Sequence, residues 1–157
     1  MRHGQTACAL RQAICSTSTS WLALAAPSHV HHGAARAYWM QPVLPRLWFN
    51  RITMLGLVRL LCEPKIMGEA KLSPTRALEV YEHLEALPEV GFMDEPPACG
   101  PAFAAALRSM APSSGRLLTD LYLGCFAQAA QLRLVTFDRD FERFAGLAVL
   151  RLSPAGK

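Results

Sequence analysis

The sequence predicts a single α/β domain with a largely parallel central sheet, and three observations support this. The chain has 157 residues, which is enough for one buried core. Apolar residues make up 52% of it and charged residues 18%, a balance typical of a well-packed globular protein. Short segments rich in β-branched and aromatic residues alternate with longer segments of helical periodicity. Helices that separate successive strands are typical of parallel sheets.

The first 21 residues are atypical of such a domain. They show no clear period, and the Ser/Thr run at residues 16–20 would make a poor central strand. Residues 21–26 end in small side chains, as signal peptides do, and an acid-free start with Arg and Ser is also found in transit peptides. The apolar run is short and interrupted, which argues against both. We therefore divide the chain into an atypical segment, residues 1–21, and a domain of residues 22–157.

Four helices are predicted between residues 22 and 110. In order, they span residues 28–39 with Ser28 as the cap, 50–62, 73–87, and 100–110. The third has the clearest start, with Ser73 at the N-cap and Pro74 at the first helical position. In the second helix, the predicted buried stripe consists of Ile52, Leu55, Val58 and Leu61. Residues 63–69 are a predicted loop, and residues 90–93 a short strand.

The last third of the chain contains the most informative segment. Residues 117–131 are apolar on nearly all sides and predict a buried helix, in which Asp120 is the only charge and Thr119 a candidate cap. Residues 133–137 are β-branched and aromatic and predict a strand that ends at Asp138 and Asp140. A turn-like helix at residues 141–146 and a strand at residues 147–152 complete the chain.

These three acids are candidates for a shared site. Sites of α/β sheets lie at the carboxyl ends of strands, where Asp138 and Asp140 fall, and Asp120 lies on the neighbouring element. Adjacent carboxylates repel each other unless a cation neutralises them, and hard oxygen ligands suit Mg²⁺ or Mn²⁺. The alternative is that Asp120 only stabilises the start of its helix.

Charge, cysteines and hydropathy bound the function. All 12 acids lie from Glu63 onward, whereas residues 1–62 carry six Arg, a distribution that suits a polyanionic partner or non-specific adhesion. The five cysteines are odd in number and form no C-x-x-C pair, so they indicate neither a disulfide framework nor a zinc site. Cysteines of this kind are typical of proteins in the reducing cytoplasm. No apolar run is long enough to predict a membrane span. The cluster of His29, His31 and His32 favours a polar helix start over a metal site.

Four segments together resemble a known family. These segments are residues 29–39, 49–61, 118–123 and 134–141, and the resemblance, to the VapC toxins, covers about residues 22–152. VapC toxins are ribonucleases with a PIN domain. The resemblance implies a three-layer α/β/α PIN-like fold with a mainly parallel central sheet, Mg²⁺- or Mn²⁺-dependent cleavage of RNA, a VapB-type antitoxin partner and a homodimer.

The resemblance also assigns roles. It implies that Asp120 and Asp138 bind metal, that Asp140 completes the catalytic acids, and that Thr119 and Thr136 support them. Candidate phosphate contacts of such a ribonuclease are Arg51, Arg59, Arg116 and Arg139. The family's mid-chain acid would fall near Gly56, a gap that several members share. The acid expected at the start of the first strand falls near Thr17, which cannot supply a negative ligand.

A shift of reading frame offers a reason for Thr17. Residues 16–21 can be encoded TCG ACG TCA ACG TCC TGG, and the same bases read two positions along give Asp-Val-Asn-Val-Leu, the family's usual sequence there. We hypothesise that residues 1 to about 21 are a wrong-frame translation of the first strand. Coincidence is the alternative, because Ser and Thr codons are permissive.

Three functional hypotheses follow. The first is a metal-dependent endoribonuclease that acts as the toxin of a VapBC-type pair. The second is a degenerate PIN module that binds antitoxin or RNA without cleavage, because the first-strand acid is absent. The third is an α/β domain whose acids are surface residues without a shared role, a hypothesis that would gain support if Asp120 and Asp138 lay far apart.

Overall fold

A computed structural model describes residues 14–43, 45–109 and 117–153. The strands are β1 (Ile14–Ser16), β2 (Leu47–Phe49), β3 (Val90–Phe92), β4 (Arg133–Thr136) and β5 (Val149–Arg151). The helices are α1 (Ser18–Ala25), α2 (His32–Trp39), α3 (Arg51–Cys62), α4 (Pro64–Met67), α5 (Pro74–Glu85), α6 (Cys99–Ser109) and α7 (Leu118–Ala129). Two 3₁₀ segments lie at Gly68–Ala70 and Arg139–Arg143.

All strand pairs of the sheet are parallel, in the order β3-β2-β1-β4-β5. The central strand is β1, in which Ile14 lies opposite Leu47 of β2 and Arg133 of β4. Only Ser16 of the Ser/Thr run belongs to this strand, so two largely apolar residues, Ile14 and Cys15, supply most of it. The predicted parallel sheet is confirmed.

Two apolar clusters cover the two faces of the sheet. Successive residues of a strand point to opposite faces, so Ile14 and Val135 pack on one face and Cys15 and Leu134 on the other. The first cluster is formed with α1, α3 and α5, and the second with α6 and α7. The three-layer α/β/α arrangement is thereby confirmed. No helix in the described part of the chain is long and apolar enough to cross a membrane.

Capping explains where several helices begin. Ser73 accepts a hydrogen bond from the Arg76 amide at 3.4 Å, and Pro74 follows it, as predicted. Asn50 and Thr53 form a reciprocal capping box at the start of α3. The prediction that Ser28 caps α2 was wrong, because residues 27–31 form turns and the helix begins only at His32. The ring of His32 bonds the Ala23 carbonyl oxygen at 2.8 Å and ties this start to α1.

Two further predictions need correction, and two elements were not predicted. The buried residues of α3 are Thr53, Leu57, Leu60 and Leu61, whereas Leu55 is 53% exposed. The stripe is shifted because α3 packs against both α1 and α5. Residues 63–69 contain α4 and the start of a 3₁₀ turn rather than a loop. The strand β2 and the helix α1 were not predicted, because β2 is only three residues long and α1 begins within the Ser/Thr run.

Candidate functional site

A cleft of about 620 Å³ opens at the carboxyl ends of β1 and β4. The chain leaves β1 toward β2 and β3 on one side and returns through β4 and β5 on the other, so β1 and β4 flank the point where strand order reverses. Open α/β sheets bind ligands at this point. The polar residues that line the cleft are Thr17, Ser18, Thr19, His31, Arg59, Thr119, Asp120, Thr136, Asp138, Arg139 and Arg151.

Asp120 enters the cleft from the first turn of α7. The helix begins at Leu118 and has no side-chain cap, so the prediction that Thr119 caps it was wrong: Thr119 lies inside the helix, exposed beside the cleft. Burial raises the pKa of the Asp120 carboxyl, and the nearby charges of Asp138 and Asp140 raise it further against an opposing effect of Arg143. The helix dipole acts in the opposite direction, because it favours a carboxylate at this position.

Asp138 is held by hydrogen bonds on both sides. The buried Thr136 hydroxyl accepts from the Asp138 amide at 3.0 Å, and Asp138 Oδ1 accepts from the Asp140 amide at 2.8 Å. Thr136 therefore supports Asp138 through its backbone. Asp140 is exposed and does not line the cleft, although its charge acts on Asp120. Asp120 and Asp138 line one cleft, so the separation that would support the third hypothesis is not found.

Thr17 lies between these acids and the N-terminus of α1. It follows β1 directly, so the position expected for the first-strand acid is at the end of this strand, and the expectation that it lies at the start was wrong. The Thr17 hydroxyl is 3.0 Å from Ser20 Oγ and accepts from the Ser20 amide at 3.3 Å, so Thr17 caps α1. Ser20 Oγ also donates to the Val135 carbonyl oxygen at 3.2 Å. The buried hydroxyls of Thr17 and Ser20 are therefore satisfied.

Two of the four predicted phosphate contacts lie at the cleft. Arg59 and Arg139 are exposed and line it. Arg51 lies elsewhere, with its guanidinium 4.8 Å from the ring centre of Phe92, and Arg116 lies outside the described residues. Arg151, which sequence reasoning missed because it lies in β5, also lines the cleft and pairs with Glu142 at 3.4 Å.

His31 is a second lining residue whose place at the site was not predicted. Its ring stacks on Phe137, with ring centres 4.4 Å apart and planes 10° from parallel, and its Nδ1 is buried without a hydrogen-bond partner. Phe137 lies between Thr136 and Asp138, so this stack packs against the segment that carries Asp138. The histidine cluster near Ser28 was the available signal, but its separation of about 100 residues from the acids gave no reason to join them. Burial, and then the charges of His31 and His32, lower the pKa of His29.

Gly56 lies at the contact between α1 and α3. A Cβ at this position would overlap the Cβ and Oγ of Ser18, whose hydroxyl donates to the Thr53 carbonyl oxygen at 3.3 Å. The position nearest to the family's mid-chain acid therefore has no room for a side chain while Ser18 stays in place.

The donor set fits a hard divalent cation in its chemistry and is short of one acid. Two carboxylates and five hydroxyls line the cleft, and all are oxygen ligands of the kind that Mg²⁺ prefers. The mutual repulsion of Asp120 and Asp138 is the electrostatic condition that a cation relieves. Within residues 14–43, 45–109 and 117–153, however, no three His, Cys, Asp or Glu side chains come close enough together to hold a metal ion.

Comparison with known proteins identifies the family. The PIN domain model matches residues 18–147. The protein belongs to the PIN domain family. Ribonuclease VapC41 of Mycobacterium tuberculosis, in strains CDC 1551 / Oshkosh and ATCC 25618 / H37Rv, is 29% identical over 151 residues, which cover 89% of this chain and 98% of the relative. The resemblance to the VapC toxins is thereby confirmed.

Two solved structures share this PIN fold. One is VapC20 of Mycobacterium tuberculosis, described as a sarcin-ricin loop cleaving toxin, with a TM-score of 0.60, 19% identity, and coverage of 85% of this chain and 95% of that one. The other is VapBC2 of Rickettsia felis bound to a promoter DNA fragment, with a TM-score of 0.58, 10% identity, and coverage of 90% and 99%. At these identities the likeness shows the fold alone.

Proposed function

We propose that the protein is a metal-dependent endoribonuclease and the toxin of a VapBC-type toxin–antitoxin pair. The observation that carries this proposal is the cleft of the PIN domain, where Asp120 and Asp138 face one space beside Arg59 and Arg139. Two carboxylates beside cationic side chains suit a substrate that is a polyanion bound together with a cation. The similarity to a protein named as a ribonuclease supports RNA as the substrate.

The residues of the cleft have separate tasks in this proposal. Asp120 and Asp138 would hold Mg²⁺ or Mn²⁺, which when bound supplies an activated water and neutralises charge on the scissile phosphate. The hydrogen bonds of Asp138 to Thr136 and Asp140 keep its carboxylate in one orientation. Arg59 and Arg139 are placed to contact phosphates, which positions the RNA without reading its sequence.

A VapB-type antitoxin is the proposed protein partner, and the similarity in fold to VapBC2 of Rickettsia felis supports this class of partner. We expect the antitoxin to contact α3 and α5. Large apolar side chains are exposed along this side of the domain, namely Leu55 (53%), Ile66 (47%) and Leu78 (41%). We further propose that the toxin acts in the cytoplasm and forms a homodimer, as its family implies.

Thr17 favours a second candidate, a PIN module that binds RNA or antitoxin but cleaves poorly. A hydroxyl in place of a carboxylate leaves the cleft with one negative ligand fewer, and a divalent ion is attracted less strongly. The frame-shift hypothesis links the two candidates, because it makes the impairment a property of residues up to about 21 and the ribonuclease a property of the rest.

The burial of residues 17–21 supports that hypothesis. Position 19 is exposed, whereas positions 20 and 21 are buried. The alternative frame, Asp-Val-Asn-Val-Leu, puts Asn at the exposed position and Val and Leu at the buried ones. In the present frame the buried Trp21 leaves its indole N–H without a hydrogen-bond partner, which costs about 1–3 kcal/mol. Asp is also as good a helix cap as Thr at position 17.

Cleavage of RNA by two chains tests both candidates. The unchanged chain is compared with one in which residues 17–21 are replaced by Asp-Val-Asn-Val-Leu, and each chain is tested both without and with Asp120→Asn. We expect the replaced chain to cleave RNA with Mg²⁺ or Mn²⁺, to stop in EDTA, and to lose activity by at least about 100-fold on Asp120→Asn, since one electrostatic group in an active site is worth that much.

The outcomes are distinguishable. If the replaced chain has a native circular dichroism spectrum and cleaves no RNA, the ribonuclease proposal fails. If the unchanged chain cleaves as fast as the replaced one, Thr17 does not impair the protein and the second candidate fails.

A further inference from the structure

A second pocket lies at the same edge of the sheet as the acidic cleft. It has a volume of about 340 Å³ and is found where β2 and β3 end. Its main lining residues are Asn50, Arg51, Phe92, Asp94, Glu95 and Tyr122. No role has been assigned above to this pocket, and it contains the one predicted phosphate contact that the structure places away from the acids.

Arg51 lies against an aromatic ring in this pocket. Its guanidinium lies over the Phe92 ring, 4.8 Å from the ring centre, while the side chain remains exposed. A guanidinium that stacks on an aromatic ring by one face keeps its other face available to a second planar group. Arginine planes of this kind stack unpaired RNA bases.

Hydrogen-bond acceptors lie beside this plane. The Tyr122 hydroxyl donates to Glu95 Oε2 at 2.7 Å, which fixes the Glu95 carboxylate at the pocket wall. The hydrogen bond engages one oxygen of this carboxylate, and the other is available to an amino or imino group of a base. Asp94 adds a further acceptor.

The distance between the two sites suits one RNA strand. Neighbouring strands lie about 4.8 Å apart, so the middle of the β2–β3 pair is about 10 Å from the middle of the β1–β4 pair. Nucleotides that are one or two positions apart in an extended single strand span this distance. α7 serves both places, because it carries Asp120 to the cleft and Tyr122 to the pocket.

From this arrangement we infer that Arg51 and Phe92 form a stacking platform for an unpaired nucleobase next to the phosphate bound in the acidic cleft. The inference rests on the proposed function in that it takes RNA as the ligand. It replaces the prediction that Arg51 contacts a phosphate, and it makes Arg51 a determinant of base recognition.

Binding of short RNA by arginine variants tests the inference. Fluorescence anisotropy in EDTA measures the affinity for labelled hexa-adenylate, and for the same oligonucleotide with abasic sites, at several salt concentrations. Arg51→Lys keeps the charge and loses the plane, Arg51→Ala loses both, and Phe92→Leu removes the support. Arg76→Ala is the control, because Arg76 is exposed on α5 and paired with Glu79 at 2.7 Å.

We expect Arg51→Lys and Phe92→Leu each to weaken hexa-adenylate binding by about 10-fold, the effect of one base stacked on a protein side chain. The salt dependence of Arg51→Lys binding should be unchanged, and its affinity for the abasic oligonucleotide should equal that of the unchanged chain. Urea unfolding of Phe92→Leu establishes that the variant is folded under the conditions of the assay.

Other results would overturn the platform. If Arg51→Lys binds as tightly as the unchanged chain while Arg51→Ala binds more weakly with a salt slope smaller by about one, Arg51 contacts a phosphate. Equal affinities of all variants exclude any contact of Arg51 with RNA. If neither the unchanged chain nor Arg76→Ala binds RNA in EDTA, the platform fails, whereas the ribonuclease proposal is decided by the cleavage assay with Mg²⁺ or Mn²⁺.

Discussion

Two segments of the chain line the acidic cleft and bring different chemistry to it. In the segment of β1 and α1, the strand ends at Ser16, Thr17 follows it as the cap, and the helix begins at Ser18. In the segment of α7 and β4, Asp120 lies in the first turn of a largely apolar helix, Asp138 follows the strand, and both acids line the cleft. The hydroxyls of the first segment cap α1 and have hydrogen-bond partners, so they are compatible with the fold, but they carry no charge. The fold therefore requires a helix-capping side chain at position 17, but it does not require that side chain to be charged.

Giving the first segment a carboxylate should have the largest effect. We expect Thr17→Asp alone to bind Mg²⁺ at least about 10-fold more tightly than the unchanged chain, since even groups that only hydrogen-bond to metal ligands change metal affinity by roughly 10- to 100-fold. The rise in melting temperature with increasing Mg²⁺ concentration measures this affinity.

Thr17→Asn is the matched control for that prediction. It keeps a helix-capping side chain of the same size as Asp and adds no charge. Equal Mg²⁺ affinities of the Asp and Asn variants would mean that position 17 does not face the bound cation.

Replacing one glycine near each segment should have the next largest effect, which is on the stability of the fold. Gly56 of α3 faces Ser18 of α1, so Gly56→Ala should lower the free energy of unfolding by about 1–3 kcal/mol through overpacking. Gly124 of α7 has only ordinary contacts, at 3.7 Å with Leu147 and Phe144, so Gly124→Ala should raise it by up to about 1 kcal/mol. Urea unfolding measures both, and a stabilising Gly56→Ala would contradict the tight contact of α1 with α3.

The smallest effect concerns the pH dependence of the second segment. The pKa of Asp120 is raised above its ordinary value of 3.8 by burial first and then by Asp138. The folded state therefore holds this proton more tightly than the unfolded state, and stability falls as pH rises from 3.8 through the raised pKa. In EDTA, Asp120→Asn should be more stable than the unchanged chain at pH 7, by less than about 1 kcal/mol because the group is half exposed and screened.

Thermal unfolding between pH 3 and pH 8 measures this difference. It should disappear below pH 3.8, where the carboxyl is protonated in both states. A variant that is less stable than the unchanged chain at pH 7 would show that the helix dipole, rather than burial, dominates at Asp120.

The same two segments show how far the sequence could predict the structure. The helix and strand around Asp120 and Asp138 were predicted because apolar periodicity and β-branched residues agree with the fold there. Four of the supporting and phosphate-contact residues named from sequence line the cleft with the two acids, namely Arg59, Thr119, Thr136 and Arg139. Secondary structure can be predicted from sequence where the local conformational preference of the residues agrees with the tertiary packing, as it does here.

Other features of the fold and the site could not be predicted from the sequence, for physical reasons. In the first segment, Ser and Thr give no strand or helix signal, so α1 was missed. His31 and Arg151 reach the cleft only through tertiary packing, which leaves no local trace in the sequence. Arg51 was assigned to a phosphate by charge alone, whereas its plane on Phe92 depends on the position of β3. The division of the chain after residue 21 stays a prediction, although β1 and α1 pack as parts of the sheet and its first layer.

The central place of β1 in the sheet has a consequence for synthesis of the protein. Its partner β4 lies more than 115 residues further along the chain, and Ser16 pairs with Val135. During translation, β1 can pair with β2 early, but its other edge and the cleft beside it remain open until residues 133–136 have emerged. The acids meet only when translation is nearly complete. A nascent fragment of the protein on its ribosome, surrounded by the RNA of its own host, therefore has no assembled site.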